Sequence, residues 1–249
     1  MLVPRSLAAL LVGLLAATTA CTDGLDLPDA ATTTEPTLQP ITTSSTLPAE
    51  GIPLVVAEQG ATSFPDPYQR GQRIGGYGVV LQNPNEGLLA AGVQVTTRVL
   101  DEAGNELLVD HALLNGIMPG QRMAVGRTIV EQIAPPARLD VRVNVAGWLP
   151  PAATGTLAAQ EAITTPEPFG GAVTRFAVQS GWPSDEEGVD VVAVYRDDAG
   201  RVLAVETTTI DLLPAGDIVV GQIRLLAPIP GLAATEVLVG RGFAAQSTG

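Results

Sequence analysis

The sequence is poor in the residues that carry most enzyme chemistry. It contains one histidine, His111, and one cysteine, Cys21. A Ser-His-acid triad needs an imidazole that accepts a proton. His111 instead follows Asp110 in a segment with strand character, where we expect it to face solvent, and no Gly-x-Ser-x-Gly turn occurs in the sequence. Because one histidine and one cysteine also cannot fill a tetrahedral zinc site, we expect a protein that is not an enzyme and holds no cofactor.

Sustained helical periodicity is also lacking after the first 20 residues, and a duplication is found instead. The segment 92–120 recurs as 188–216 with a constant offset of 96 residues. A single offset near 100 residues predicts a duplicated domain, because solenoid and propeller repeats are about 20 to 50 residues long. The matching positions include Gly92 and Gly188, Val93 and Val189, Val95 and Val191, Asp101 and Asp197, Gly104 and Gly200, Leu107 and Leu203, Val109 and Val205, and Gly120 and Gly216.

Each copy begins with the pattern of a strand that has one buried face. In the first copy the segment 93–99 alternates apolar and polar residues, and in the second copy Val189, Val191, Ala193 and Tyr195 occupy the matching positions. An acidic turn that ends in Gly104 or Gly200 follows, which predicts a hairpin tip. Short strands separated by Gly and Pro turns predict an all-β protein built from antiparallel sandwiches.

The spacing of the strands gives two tandem domains, 52–150 and 155–245. Segments 139–145 and 123–130 are further strands of the first domain, and we expect a loop over 60–76. Trp148 and Phe243 end equivalent strands and are predicted to plug the two cores. Only a short Pro- and Gly-containing linker separates the domains, so we expect them to lie end to end.

The N-terminal 50 residues have a different composition. Residues 1–20 predict a signal peptide, because Arg5 precedes an uncharged apolar core. This core is shorter than the roughly 20 residues that span a bilayer, so we do not expect a transmembrane helix. Residues 21–51 are rich in Thr, Pro and Ser and predict a disordered stalk. The residues up to Cys21 resemble the lipobox of bacterial lipoproteins, although Thr18 stands where leucine is usual. The resemblance implies a lipidated Cys21; cleavage after Ala20 and secretion as a soluble protein is the alternative.

The domains resemble the FxLYD type of bacterial envelope domain. In the first domain the resemblance lies in segment 80–84, in the strand that runs into Asp101, and in Pro119-Gly120. The second domain is similar through segment 194–200 but has Ser180 in place of the asparagine. The resemblance implies immunoglobulin-like sandwiches on extracytoplasmic lipoproteins and assigns no catalytic residues.

The charge pattern restricts the partners. The formal net charge is −13, which opposes binding to nucleic acid and to anionic lipid headgroups. We therefore expect no nucleic-acid partner and a membrane attachment that depends on the lipid at Cys21.

Two further features are candidates for binding. The acidic loops supply oxygen ligands for calcium but lack the spacing of an EF-hand, and charged loop tips are the simpler interpretation. Trp182, in a loop, is a candidate platform for a sugar ring or a protein partner, although a cap on the end of the core is the commoner role for such a residue. The candidate calcium ligands are Asp185, Glu186, Glu187, Asp190, Asp197 and Asp198.

These features together predict a lipoprotein anchored to the extracytoplasmic face of the cell membrane. We expect it to act as a non-enzymatic binding or scaffolding module for an unknown envelope protein or glycan. The alternative function is that of an accessory ligand-binding protein for cell-wall glycan or an exported solute.

Overall fold

A computed structural model describes residues 50–130, 134–151, 155–168 and 170–241. Within these ranges the chain forms strands and no helix, so no helix there is long and apolar enough to cross a membrane. The all-β prediction is confirmed. The strands are β1 (Val55–Pro65), β2 (Arg73–Gln82), β3 (Leu89–Leu100), β4 (Glu106–Ile117), β5 (Arg122–Val130), β6 (Arg138–Leu149), β7 (Leu157–Pro166), β8 (Ala172–Ser180), β9 (Glu186–Arg196), β10 (Val202–Leu213), β11 (Ile218–Leu225) and β12 (Ala234–Gly240).

The strands form antiparallel sheets of three strands each. We number them in the order in which they stack: sheet 1 (β4-β3-β6), sheet 2 (β1-β2-β5), sheet 3 (β10-β9-β12) and sheet 4 (β11-β8-β7). Each sheet takes its strands from one half of the chain. Sheets 1 and 2 form one sandwich and sheets 3 and 4 the other, as the predicted pair of tandem sandwiches requires.

The predictions for the N-terminal region lie outside the described residues. These are the signal peptide, the lipidation of Cys21 and most of the stalk; Phe243, the predicted core plug, also lies outside them. They stay predictions, as do the outer limits of the two domains.

The alternating pattern of β3 produces the expected one-sided burial. Val93, Val95 and Val99 are buried, whereas Gln94 between them is exposed. Val93 and Val95 pack in the first core together with the buried residues of sheet 2. Burying one such side chain contributes about 1.5–3 kcal/mol, so this single face accounts for much of the packing between the two sheets.

The acidic segments after β3 and β9 form the predicted hairpin tips. The backbone N–H of Gly104 donates to the carbonyl oxygen of Asp101 (3.1 Å), and that of Gly200 donates to Asp197 (3.0 Å). Both glycines have positive φ, 84° and 77°, which a glycine adopts without a steric cost. The two copies therefore share this local structure, as well as the letters of the sequence.

The two sandwiches lie face to face, and the expected end-to-end arrangement is wrong. Sheet 2 of the first sandwich packs on sheet 3 of the second, and one core cluster contains side chains of both halves, among them Val80 and Val125 from the first and Val192, Val194 and Val205 from the second. A fourth layer, sheet 4, covers the other side of sheet 3. Sheets 2 and 3 are thus covered on both faces, whereas sheets 1 and 4 are the outer layers.

Glycines let sheet 2 approach sheet 3 closely. A Cβ atom on Gly78 would lie 2.4 Å from the Cγ2 atom of Val205, and one on Gly76 would lie 2.6 Å from the Cβ atom of Ala204. Carbon atoms of neighbouring side chains do not pack this closely, so a larger residue at Gly76 or Gly78 would push the two sheets apart. Gly76 and Gly78 therefore let β10 pack directly on the backbone of β2. We call this surface of β2 the glycine floor.

Strands β1 and β2 extend into the loop that we expected over residues 60–76. β1 continues to Pro65 and β2 begins at Arg73, so only the turn between them remains. The Arg73 guanidinium donates to the Ser63 hydroxyl (2.7 Å) across this turn. The Gly and Pro content suggested a loop, but Gly60 and Gly76 are strand residues that face sheet 3, and Gly71 lies in the remaining turn.

A ring of four charged side chains lies where the two sandwiches meet. Glu58 and Arg122 come from the first half, and Arg196 and Glu236 from the second. Arg122 and Arg196 contact Glu236 at 2.7 and 2.6 Å, and both also contact Glu58. We call these four residues the charge ring. Each carboxylate lies between two guanidinium groups, so the ring ties the two halves together with charge-assisted hydrogen bonds.

Candidate functional site

A groove of about 490 Å³ lies along the junction of the sandwiches, and it brings together residues from both. One wall is β4, the other is β10 with part of β9, and β5 forms the floor. We call this the junction groove. The residues that line it are Asp110, His111, Ala112, Leu113, Leu114, Met123, Ala124, Val125, Gly126, Asp190, Val192, Thr207, Thr208 and Thr209.

The floor of the junction groove is apolar. Leu114, Met123, Ala124 and Val125 are almost completely buried, and Val192 closes the floor from the second half. Leu113, which also borders the groove, lies opposite Gln94 and has its side chain on the outer face of sheet 1, where 44% of its surface is exposed. A volume of this size with an apolar base and a few polar groups at the rim is typical of ligand sites.

The β4 wall carries the first polar groups. The Thr96 hydroxyl lies 3.1 Å from His111 Nδ1, and both side chains belong to a cross-strand pair. The Tyr77 hydroxyl donates to the Asp110 carboxylate, and Arg127 Nε lies 3.7 Å from the same carboxylate. Burial of Tyr77 and its bond to Asp110 raise the pKa of its phenol far above the usual range, so Tyr77 is a permanent hydrogen-bond donor.

The β10 wall carries a run of three threonines. The Thr209 hydroxyl donates to the buried Asp190 carboxylate on β9 (2.9 Å), and Thr207 is exposed. Thr207 lies opposite Val192 in the β10–β9 register. The β10 wall therefore combines hydroxyl groups with one held carboxylate. In β4 the Asp110 carboxylate faces sheet 2, whereas the His111 imidazole lies on the outer face of sheet 1 beside Thr96.

Another cleft is larger but lacks this kind of floor. It measures about 770 Å³ and runs along β1 at residues 59–64, beside the β9–β10 hairpin tip. Asp197, at its edge, accepts hydrogen bonds from the backbone N–H of Arg201 and from its guanidinium. Burial opposes the charge of Asp197, but these bonds outweigh it and lower the pKa of the carboxyl. Its acidic group is thus already engaged in holding the turn.

The acidic candidates for calcium serve the fold. Glu186 accepts two hydrogen bonds from the Arg241 guanidinium, at 2.5 and 2.8 Å, and Asp185 accepts one from the Ala215 N–H (2.9 Å). Asp190 and Asp197 are held as described above. Glu187 and Asp198 are exposed. Among the described residues, no three His, Cys, Asp or Glu side chains come together in a way that would hold a metal ion.

Trp182 lies where the core-cap interpretation places it. Its side chain is 3% exposed, and the Arg241 guanidinium lies over the ring, 4.1 Å from the centroid. Gly155 packs against the indole so closely that a Cβ atom there would lie 2.4 Å from it. The ring therefore offers no open face for stacking on a sugar, and the glycan-binding alternative loses the residue on which it was based. Trp148 is half-buried against the first core.

Sequence analysis missed most of the junction groove. It identified His111 as a solvent-facing strand residue, which the structure confirms. It named Asp190 only as a candidate calcium ligand. Met123, Leu113 and Thr207 carried no signal of their own, because the groove exists only when the sandwiches are stacked. The available signal was indirect: Val192 and Val194 are apolar at positions where the first copy has Thr96 and Arg98.

Comparison with known proteins identifies no family. No protein-family model matches the chain, and no curated protein matches it. Among solved structures, it is similar to the Amycolatopsis orientalis exo-chitosanase CsxA, with 14% identity over 66% of this chain, 24% of that chain and a TM-score of 0.27. A complex of an exo-chitosanase variant with PNP-beta-D-glucosamine matches with 13% identity over 59% of this chain and 22% of the other, with a TM-score of 0.22. The chain thus spans about a quarter of the length of these enzymes, and overlap at this level assigns neither a family nor an activity.

Proposed function

We propose that this protein is a non-enzymatic, lipid-anchored module of the bacterial cell envelope. It binds a partner in the junction groove and tethers that partner to the membrane. The observation that carries the proposal is the groove itself, whose two walls come from different sandwiches around a buried apolar floor. Such a site favours binding over catalysis, because its polar groups are engaged in structural hydrogen bonds.

The contact between sandwiches supports the scaffolding part of the proposal. The glycine floor of β2 and the charge ring fix sheet 2 on sheet 3. Further hydrogen bonds cross the junction, among them those from the Gln121 amide to the Val239 carbonyl (2.7 Å) and from the Thr62 hydroxyl to the Leu203 carbonyl (3.2 Å). A groove between two domains keeps its shape only when the domains are held in this way.

The sequence supports the anchoring part of the proposal. An apolar leader that ends at Cys21 and a Thr- and Pro-rich segment before the first strand suit a lipoprotein on a stalk. Acyl-chain labelling of cells that express the wild type or Cys21→Ser tests this part directly. We expect label in the wild type alone; label in both proteins, or in neither, would contradict the anchor.

The groove is tested by affinity capture from solubilised envelope. We expect the tagged protein to retain one or a few components, and Thr207→Arg to lose them because a long cation at this exposed position of the β10 wall then fills the groove. Thr165→Arg is the matched control, since Thr165 is an exposed strand threonine that does not line the groove. Equal capture by the wild type and both variants would contradict a function for the groove. Unfolding curves of the three proteins exclude a general loss of folding.

A further inference from the structure

Strand β6 is an open edge of the first sandwich. The order β4-β3-β6 gives it one neighbour in its sheet, β3, with which it pairs over its whole length from Arg138 to Leu149. Every residue of β6 keeps part of its surface exposed, in contrast to the buried edge strand β5. Unpaired main-chain N–H and C=O groups along such an edge are a template for another strand.

The corresponding strand of the second sandwich is protected. β12 pairs with β9 as β6 pairs with β3, but it is only seven residues long. The carbonyl oxygen of Val239 accepts a hydrogen bond from the Gln121 amide of the first half (2.7 Å). Nearer its start, the Thr164 hydroxyl of β7 donates to the Thr235 hydroxyl (2.7 Å). Neighbouring elements thus cover β12, whereas β6 is left open.

The inward face of β6 is also incompletely covered. Leu139, Val141 and Val143 pack against the first core but are only partly buried, whereas the core valines of β3 are almost completely buried. A cleft of about 410 Å³ lies beside them, between residues 139–141 of β6 and residues 56–59 of β1. A further strand with apolar residues at alternate positions would complete this side of the core.

We propose that β6 pairs with β6 of a second copy of this chain, antiparallel and about a twofold axis, so that two sheets of three strands become one continuous sheet. Each contact across such an axis occurs twice, so the strand must be complementary to itself. The sequence of β6 meets this condition. With Val141 on the axis, Asp140 of each copy lies opposite Arg142 of the other on the outer face, and Leu139 lies opposite Val143 on the inner face.

Other registers are less favourable. A shift by one residue would place inward side chains beside outward ones. A shift by two places Asp140 opposite Asp140 or Arg142 opposite Arg142, and like charges directly opposite each other are destabilising. A shift by four toward the start of β6 restores a pair of opposite charges but brings in Pro136, which has no main-chain N–H to donate. The register centred on Val141 pairs residues 138–144, about 23 Å of strand.

The charged groups of β6 are available for this contact. Arg142 is exposed and forms no salt bridge with another described residue. Asp140 lies 3.5 Å from Arg98, and its side chain is 41% exposed. The strand contains two arginines and one aspartate, so this edge is not acidic although the chain carries −13. Physiological salt screens the repulsion between the two chains beyond about 8 Å, so we expect a dimer of micromolar affinity, as is usual for a short interface.

Pairing through β6 leaves the junction groove open in both copies. The groove is bordered by β4, which lies at the opposite edge of sheet 1. The dimer is therefore independent of the proposed binding function, and a monomeric variant should still capture the same envelope components as the wild type.

The test exchanges charges on β6 and measures the mass of the intact protein by sedimentation in density-matched detergent over a range of concentrations. We expect the wild type to dimerise. Asp140→Arg and Arg142→Asp should each weaken the dimer about tenfold or more, because each places like charges opposite each other twice. An equimolar mixture of the two variants should dimerise again, since both contacts between unlike copies then join opposite charges.

Arg175→Asp is the matched control, because Arg175 is an exposed strand arginine on the outer face of sheet 4. It should leave the dimer unchanged, and dimerisation of the wild type should slow amide hydrogen exchange in β6. Unfolding curves establish that each variant is folded. A wild type that stays monomeric up to about 100 μM, folded variants whose mixture does not dimerise, or a dimer that neither exchange on β6 weakens would overturn the proposal.

Discussion

The two copies of the duplicated strand differ in how many of their faces are covered. In β3 the positions between the core valines are Gln94, Thr96 and Arg98, and this face of sheet 1 is the outside of the stack. The equivalent positions of β9 include Val192 and Val194, which are buried against sheet 2. One face of β3 is thus in contact with water, whereas the equivalent face of β9 is buried in a core that it shares with sheet 2.

The partner surface shows the complementary change. Strand β2 has Gly76 and Gly78 where the register places Val173 and Arg175 in β8. β2 is buried on both faces, and the outer face of β8 is open, with Arg175 exposed. Docking therefore required two different changes: polar side chains became apolar on sheet 3, and side chains were removed on sheet 2. The inward-facing residues of the two copies are alike, and they show only that each segment is a strand. The residues between them show whether the strand lies in an outer or an inner sheet.

The largest effect is expected when the glycine floor is filled. Gly78→Val places methyl groups where Val205 and Val202 already lie, with the new Cβ atom 2.4 and 2.8 Å from their side chains. We expect a loss of about 1–3 kcal/mol or more in the free energy of unfolding, measured by chemical denaturation. Arg175→Val is the matched control at the equivalent exposed position and should change stability by about 0.5 kcal/mol or less. Equal effects at the two sites would mean that the sheets do not approach each other as closely as the structure has them.

Exchanging the residues at positions 96 and 192 between the copies should lower the stability of the protein when β9 is changed and leave it nearly unaltered when β3 is changed. Val192→Thr gives β9 the residue of β3 and buries a hydroxyl group in the shared core, which we expect to cost about 1–3 kcal/mol. The reverse change, Thr96→Val, affects an outer face and should alter stability by about 0.5 kcal/mol or less. Thermal unfolding of both variants measures the difference. A symmetric pair of losses would contradict the assignment of β3 to an outer layer and β9 to an inner one.

Removing a cation from the charge ring should cost less than disturbing the apolar contact. Arg196→Ala leaves Glu58 and Glu236 with Arg122 as their shared cation, and we expect a loss of about 1–2 kcal/mol at low salt. The loss should shrink as salt is added, because screening weakens partly exposed charges. Arg98→Ala is the control, since Arg98 contacts Glu106 and Asp140 on the open face of sheet 1. Solvent screens such exposed pairs, so we expect little change in stability, and a larger loss there than at Arg196 would contradict the role of the ring.

The smallest effect concerns Glu206, which accepts a hydrogen bond from Thr128 across the junction. Burial raises the pKa of its carboxyl, and the bond from Thr128 offsets this only in part. The folded protein thus retains the proton to a higher pH than the unfolded chain does, so this residue makes folding less favourable as the pH rises through its folded pKa.

Glu206→Gln should remove that dependence. We expect the variant to be slightly more stable than the wild type at neutral pH, with the difference disappearing below about pH 4, where the glutamate is protonated in both states. Unfolding free energies measured across this range provide the test. Glu102→Gln, in an exposed hairpin tip, should show no such trend. A variant that is less stable than the wild type at neutral pH would reverse the sign that we assign.

Local features of the fold were predictable because short-range chemistry determines them. Period-two patterns located β3, β6 and β9, and the Asp and Gly residues at 101–104 and 197–200 located the hairpin tips. β11 was not identified, because its exposed face carries Ile218 and Val220 and so lacks a clear alternation.

The stacking of the sandwiches and the junction groove were not predictable by the same reasoning. The glycines of β2 suggested a loop, since glycine is disfavoured in strands unless another backbone lies close by. That neighbouring backbone is about 125 residues away in the sequence, at β10, and pattern analysis along a single strand does not reveal it. The two interpretations of Trp182 could not be separated for a related reason: the groups that cover it, Gly155 and Arg241, are also distant in sequence.

The glycine floor also limits how far the duplication can be extended. When two unlike surfaces of a repeat dock on each other, one copy of each surface stays free at the ends of the stack. Further molecules could in general add there and form a fibre. Here the outer side of sheet 4 carries Ile163, Val173, Arg175 and Gln222 where the docked sheet has Gly60, Gly76, Gly78 and Gly126. These side chains fill the space that the glycines leave open in the docked sheet, so the outer face of sheet 4 does not offer a second molecule the flat surface on which sheet 3 packs.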